Sequence, residues 1–319
     1  MYSFWCRIKT MANSTKEVKT RLTSISGAKK ITKAMEMIAA SRMRRTVERT
    51  KAARDYEISA WKLGVLLSGQ VKLDPISSLR KLVFANPNNK SSILLVITGN
   101  RGLCGSFNAN VVSLAMRFLE REGHENVEVV CLGKKGAELL QARGVAVSRF
   151  FQKDDNPKNS ECIMSVADYL FYKMREGRAG RTWVTGSSFV SSFEQRPILK
   201  PLFPLAFDEV AKETIAEITG ESEEAPELEA GKKRWYRFEP NASLILERLV
   251  LAIGESRIYQ ALLESAAGEQ AARMLAMQAA TKAAGEMYDE QLVVFNKLRQ
   301  GMITQELAEI SAARAAMVN

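Results

Sequence analysis

The sharpest chemical candidate in the chain is Gly99-Asn-Arg-Gly-Leu-Cys-Gly105, which follows the apolar run Ser92–Thr98. A glycine-rich turn between a strand and a helix can cradle a phosphate with its backbone N–H groups. The spacing here is G-x-x-G-x-x-G. That is neither the dinucleotide pattern G-x-G-x-x-G nor a phosphate loop ending in Gly-Lys-Ser/Thr. A tight packed turn is therefore the leading reading, and phosphate binding the lesser one. Cys104 sits where a helix start could activate a thiol, but no base lies nearby in sequence, so it reads as a packed small side chain. Gly133-Lys-Lys-Gly136 could also touch an anion and reads instead as a solvated turn. The four cysteines, Cys6, Cys104, Cys131 and Cys162, show no Cys-x-x-Cys spacing, and the single histidine, His124, has no nearby ligand partner. No zinc site is expected. Histidine-dependent nucleophilic schemes would all rest on His124, which is given no role. Carboxylates are plentiful, but no pair has a forced geometry. The expectation is a protein without catalytic residues, metal or cofactor of its own.

The charge is concentrated. Of a net +10, the stretch Ala12–Arg54 holds twelve basic and three acidic residues, and Arg7 and Lys9 add two more positive charges. The rest of the chain is close to neutral. One basic arm on a near-neutral body implies an acidic partner: nucleic acid, anionic lipid or an acidic protein surface. A nucleic-acid-binding protein using this N-terminal helix is the main alternative function, but Ala12–Arg54 offers no aromatic side chain on which a base could stack. A nucleotide-dependent enzyme using the Gly99–Gly105 turn is the second alternative.

The elements that must position these residues follow from periodicity. Residues 12–72 read as one helix. Val18, Leu22, Ile25, Ala28, Ile31, Met35 and Ile38 recur at spacings of three and four, the stripe of a helix lying along a partner. Gly27 is its weak point, and Asp74-Pro75 its first breaker. Strands are expected at Ser92–Thr98, Val127–Leu132, Val145–Phe150 and from Thr182, with a weaker one near Pro197–Leu205. Helices are expected at 108–121, Lys134–Arg143 and Glu161–Arg175. This alternation indicates a parallel sheet covered by helices. Asp208–Ala230 carries eight glutamates with Gly220 and Pro226 and reads as a helix start followed by an acidic, mobile loop. From 241 to about 317 the chain is helical again. Nine alanines within 266–284 favour close helix contact, and Phe295, Leu298, Met302 and Ile310 continue the stripe. Met35, Met37, Met43, Met274 and Met277 serve as core or as a seam against partner proteins.

The two helices would extend about 90 and about 115 Å at 1.5 Å per residue. A globule of this length has a radius of gyration near 20 Å. The expected fold is therefore α/β plus long helices: an antiparallel two-helix coiled coil formed by the N- and C-terminal segments, with a central Rossmann-like α/β domain at one end. The expected organisation is an N-terminal extension (1–11), a first coiled-coil helix (12–74), the α/β domain (88–206), an acidic loop or linker (207–240) and a second coiled-coil helix (241–319). Met11 opens a more natural N-terminus than Met1. The apolar run Ile93–Ile97 is far short of the ~18–20 residues a membrane span needs, and no secretory signal is expected. Cysteine usage fits a reduced, cytosol-facing protein.

At the two helices the sequence resembles a known family. Residues 30–45, KITKAMEMIAASRMRR, look like the N-terminal signature of the gamma subunit of the rotary F-type ATP synthase. ARMLAMQAAT (272–281) with FNKLRQGMITQELAEI (295–310) looks like its C-terminal signature. RGLCGSFN (101–108), FVSSFEQRPILKPLFPL (189–205) and Glu239-Pro240 match in kind and in order. The chain departs from the family pattern at Gly27, at Phe295 and in AAGEQAA before Arg273, and its Asp208–Gly231 segment is longer and more acidic. The resemblance implies a single-copy rotor shaft inside a ring of three alpha and three beta subunits. Its α/β knob would attach, with the epsilon subunit, to the membrane c-ring, which proton or sodium-ion flow turns. It implies no nucleic-acid partner and no catalytic site, since chemistry occurs on the beta subunits. It implies a peripheral position on the cytoplasmic face of a bacterial inner membrane. It also implies contact with beta-subunit loops through Lys30, Lys33, Met35, Arg42 and Arg45 on the first helix, and Arg299, Gln300 and Thr304 on the second.

Overall fold

The computed structural model describes residues 2–68, 80–84, 86, 89–154, 161–207 and 237–318. The Asp74-Pro75 breaker and the acidic stretch Asp208–Ala230 lie outside the described residues. In chain order the elements are α1 (Tyr2–Ser68), α2 (Arg80–Val83), β1 (Ser92–Ile97), α3 (Phe107–Glu122), β2 (Val127–Leu132), α4 (Lys134–Gln141), β3 (Arg149–Phe151), α5 (Glu161–Arg175), β4 (Arg181–Phe189), β5 (Gln195–Phe203) and α6 (Ala242–Val318). They divide into two compact units. One holds the chain up to Ile38 with the chain from Met274; the other is Ala39–Arg273.

The first unit is a pair of antiparallel helical segments. Thr15 on α1 donates to Met302 Sδ on α6 at 3.0 Å, whereas Thr32 meets Thr281 at 2.8 Å. As one number rises, its partner's falls. Val18 and Leu22 are buried, as expected, but Ala28, Ile31 and Ile38 are exposed. The stripe of buried and half-buried positions runs instead through Val18, Leu22, Ile25, Thr32, Glu36 and Ala39, the last at the start of the second unit. The steps of four, three, seven, four and three residues follow the seven-residue repeat that keeps a seam facing its partner along a long helix pair. The strongest apolar residues thus misplace the seam, because small and polar ones occupy it. Similarly, Phe295, Leu298 and Met302 are half-buried while Ile310 is exposed. The methionines split: Met277 is buried, Met35 and Met274 are half-buried and Met37 is exposed. Met43, in the second unit, is buried.

The second unit is built on a five-stranded sheet in the order β3-β2-β1-β4-β5. β1 is central, parallel to β2 (Ser92 opposite Val127) and to β4 (Ser92 opposite Arg181). All six residues of β1 are buried, which explains its uninterrupted apolar run. Ile93, Leu95 and Ile97 face a core shared with α5, the C-terminal part of α1 (Trp61, Leu67) and the start of α6 (Leu246, Val250, Ile253). Leu94 and Val96 face a second core with Val111, Ala115, Phe118 and Leu119 of α3 and Leu140 of α4. Each large side chain so buried is worth about 1.5–3 kcal/mol.

Two strands differ from expectation. The third begins at Arg149, not at Val145, because Val145 N–H donates to Leu140 O and finishes α4 instead. The last strand is antiparallel to β4, so the sheet is not wholly parallel. β5 carries Pro197 and Pro201, which suits an edge strand.

Candidate functional site

The glycine-rich turn after β1 lies beside the N-terminus of α4. The N-terminus of α4 is the neighbouring place where a phosphate could sit, and its donors are already used. Gly133 N–H donates to Phe151 O (3.2 Å), Lys135 N–H to Gly99 O (3.0 Å), Lys134 N–H to Asn100 Oδ1 (3.3 Å) and Gly136 N–H to Thr98 Oγ1 (2.9 Å). Gly133-Lys-Lys-Gly136 is therefore no solvated turn. Gly133 and Gly136 are buried against Thr98. At Gly133, with φ of 114°, a side chain would meet the Thr98 carbonyl, so only glycine fits there. Cys104 is 1% exposed, accepts from Asn108 Nδ2 at 3.2 Å, and burial pushes its thiol up. It is a packed side chain. His124 lies exposed in a short 3₁₀ turn.

The turn is instead tied to α6. Lys153 Nζ donates to Glu269 Oε2 at 2.7 Å. Arg273 Nη2 donates to Glu269 Oε1 at 2.8 Å and to Gly102 O at 3.4 Å. The Lys153, Glu269 and Arg273 side chains are 2%, 6% and 11% exposed. Burial alone would raise the Glu269 carboxyl, but the Lys153 and Arg273 charges outweigh it and hold it below the usual range. Sequence reasoning missed this knot. Its members come from a loop and a helix 116 positions apart, and no motif links them.

A second cluster lies where α1 and α6 meet the β4–β5 hairpin. A cleft of about 210 Å³ is lined by Arg54, Glu57, Lys200, Arg257, Gln260 and Glu264 with apolar neighbours such as Val184 and Leu202. Glu57 is 4% exposed and Gln260 8%. Glu57 Oε2 and Gln260 Oε1 have no hydrogen-bond partner among the described residues. Burial pushes the Glu57 carboxyl up; Arg257 opposes this and Glu264 reinforces it. Among the described residues no group of three His, Cys, Asp or Glu could hold a metal ion, and no helix is long and apolar enough to cross a membrane.

The residues expected to meet partners lie mostly outward. Lys30, Lys33, Arg299, Gln300 and Thr304 are exposed and Met35 is half-buried in the first unit; Arg42 and Arg45 are exposed in the second. Lys33 pairs with Glu36 at 2.9 Å, and Thr304 donates to Gln300 O at 3.0 Å. With Thr32 facing Thr281 and Thr15 facing Met302, the Lys30–Met35 group and the Arg299–Thr304 group lie roughly 25 Å apart along the helix pair. They are two patches, not one site. Beside them, Ile31, Met37, Ile38, Val293, Ile303, Leu307 and Ile310 are each 49–66% exposed. Large apolar side chains left outward are the kind of surface a partner covers.

A family model described as ATP synthase matches residues 14–317. The ATP synthase gamma chain of Methylibium petroleiphilum is 35% identical over 307 residues, spanning 95% of this chain and 98% of its own. That of Neisseria gonorrhoeae is 35% identical over 306 residues, spanning 95% and 99%. The fold is similar to a chain in the Euglena gracilis mitochondrial ATP synthase (OSCP/F1/c-ring), with a TM-score of 0.61, 19% identity and coverage of 96% of this chain and 95% of that one. It is also similar to a chain in the central stalk and c-ring structure of the Tetrahymena thermophila mitochondrial ATP synthase, with a TM-score of 0.57, 23% identity and coverage of 78% and 99%. The sequence matches and the fold agree on one class, ATP synthase subunits. Within that class, the chain belongs to the bacterial ATP synthase gamma-chain family.

Proposed function

We propose that this chain is the central rotor stalk of an F-type ATP synthase, coupling ion flow through the membrane c-ring to ATP synthesis and hydrolysis at the beta-subunit sites. The observation that carries the reading is the antiparallel helix pair. Its seam is closed by its own residues, while ten of the twelve basic side chains of Ala12–Arg54 and a set of large apolar ones stay exposed. A sleeve of three alpha and three beta subunits around one copy of the pair would meet both kinds of side chain. Family membership supports a protein partner for the basic arm over a nucleic acid. The epsilon subunit and the c-ring would hold the α/β unit, on the cytoplasmic face of the bacterial inner membrane.

The mechanism follows from asymmetry. Two different helices present a different face at each angle, so each orientation stabilises a different conformation at each beta site. This is a population shift driven by differential contacts. Lys30, Lys33, Met35, Arg42 and Arg45 grip on α1, and Arg299, Gln300 and Thr304 on α6. Arginine and glutamine form directional hydrogen bonds that hold or release with angle. The chain supplies no catalytic group; the chemistry belongs to the beta subunits.

Two experiments test the reading. Native mass spectrometry after co-expression with the cognate alpha and beta subunits should give a complex of three alpha, three beta and one copy of this chain. In the assembled enzyme, Arg299→Glu should lower ATP synthesis and ATP-driven ion pumping severalfold while leaving the fold intact. Wild-type coupling in that variant would remove Arg299 from the grip. A chain that stays outside the assembled ring would remove the rotor reading.

A further inference from the structure

The contact between α6 and the C-terminal end of β1 is mostly smooth. Ala266, Ala267 and Ala271 are buried there, Ser265 Oγ reaches Ile97 O at 3.3 Å, and a Cβ at Gly268 would touch Ser187 Oγ at 3.0 Å. Small side chains let the surfaces approach, but apolar contact is non-directional and resists sliding weakly. The ionic knot is different in kind. Each oxygen of Glu269 takes its own cation, Lys153 on Oε2 and Arg273 on Oε1. Arg273 also holds the Gly102 carbonyl of the β1 turn, and Asn100 Nδ2 of the same turn donates to Lys153 O at 2.6 Å. The carboxylate occupies the space left by Gly99, where a β-carbon would come within 2.8 Å of Glu269 Oε1. One helix is thereby pinned to two loops.

Burying three charged groups is not an efficient way to gain stability. Apolar side chains of the same volume often stabilise as much or more. What ion pairs add is direction, since hydrogen bonds weaken steeply when bent. Arg273 is the last residue of the sheet-containing unit, and α6 runs on past it without a break.

We propose that Lys153, Glu269 and Arg273 are positioning residues that lock α6 in one register against the β1 turn, so that torque entering the α/β unit passes into α6 without slip. The lock rests on the rotor reading above. Glu269 is its hinge pin, Lys153 and Arg273 are its two jaws, and Gly99 is the socket.

The test uses the holoenzyme in sealed vesicles and, separately, the alpha–beta ring complex with a bead on the α/β unit of this chain. The variant Lys153→Met/Glu269→Leu/Arg273→Leu keeps the volume and removes the directional bonds. It should assemble, but the angular spread of the stalled bead should widen at least twofold, and ions pumped per ATP should fall at least twofold. Lys153→Arg, which keeps both jaws charged, should retain wild-type values. A triple variant with wild-type spread and pumping ratio overturns the lock. Should the triple variant not assemble, Gly99→Ala decides. It leaves every charge in place but pushes the carboxylate out of its socket, and wild-type spread there overturns the proposal equally. A wild-type complex without ATP-driven rotation removes the rotor reading, and the lock with it.

Discussion

The hydroxyl oxygens of Thr32 on α1 and Thr281 on α6 lie 2.8 Å apart, so that one hydrogen bond crosses the seam of the helix pair. One hydroxyl hydrogen makes this bond and the other goes to a carbonyl of its own helix, Lys29 O at 3.1 Å from Thr32 or Met277 O at 2.8 Å from Thr281. A seam occupied by hydroxyls fixes register, because only one alignment brings the two together.

Replacing one partner leaves the other short of a bond. Thr281→Val should cost about 1 kcal/mol, as should Thr32→Val. The double variant should cost less than the sum, because two valines pack where two hydroxyls met. Chemical denaturation of the full chain measures the cycle. Strict additivity would show that the contact contributes nothing.

Gly254 on α6 has no room for a side chain. A β-carbon there would lie 2.6 Å from Phe203 Cζ and 2.9 Å from the Phe171 ring, and those rings already pack edge to face, 5.5 Å between centroids. Gly254→Ala gains helix propensity but must displace an aromatic pair. The overpacking should win, with a net loss of about 1–3 kcal/mol. A thermal midpoint equal to or above wild type would contradict this.

Glu57 should make stability fall as pH rises. Its carboxyl is raised above the ordinary 4.5 chiefly by burial. The folded chain therefore keeps a proton that the unfolded chain has already released. Stability is complete below about 4.5 and is lost as pH climbs from there through the folded value. Glu57→Gln removes the titration and should be more stable than wild type at neutral pH by roughly 1 kcal/mol, with a flatter profile between pH 5 and 8. An unchanged pH profile would sink this account of the cleft.

Cys104 and Cys131 should be nearly inert to iodoacetamide in the native chain. Burial raises both thiols, that of Cys131 to about 12, and the thiolate is the reactive form. Labelling should rise at least tenfold in denaturant. Fast native labelling of Cys104 would mean that the β1 turn opens.

The sequence was most legible where one force dominates. β1 is legible to within one position, since a strand buried on both faces is a continuous apolar run, and β2 is legible to the residue despite Glu128 within it. The long helices followed from periodicity, but their seam did not. Ile31 and Ile38 are the more hydrophobic choices, yet they are exposed while Thr32 and Glu36 are half-buried. A helix that must meet other proteins keeps apolar residues outside as well, and hydropathy cannot tell the two faces apart. β5 joins the sheet antiparallel, an orientation that a short apolar run does not encode. The ionic knot was invisible, since Lys153 and Glu269 look like ordinary surface residues until the topology joins them. The glycine-rich turn is marked by its sequence, but not its partner on α6, and of its three glycines only Gly99 is packed, since Gly102 and Gly105 stand open.

A rotor stalk must turn within its ring. The most direct measurement fixes the alpha–beta ring complex to a surface, attaches a bead to the α/β unit, and supplies ATP. A rotor stalk gives unidirectional rotation that stops when ATP is removed. A bead that shows only thermal wobble while the immobilised ring hydrolyses ATP would contradict it.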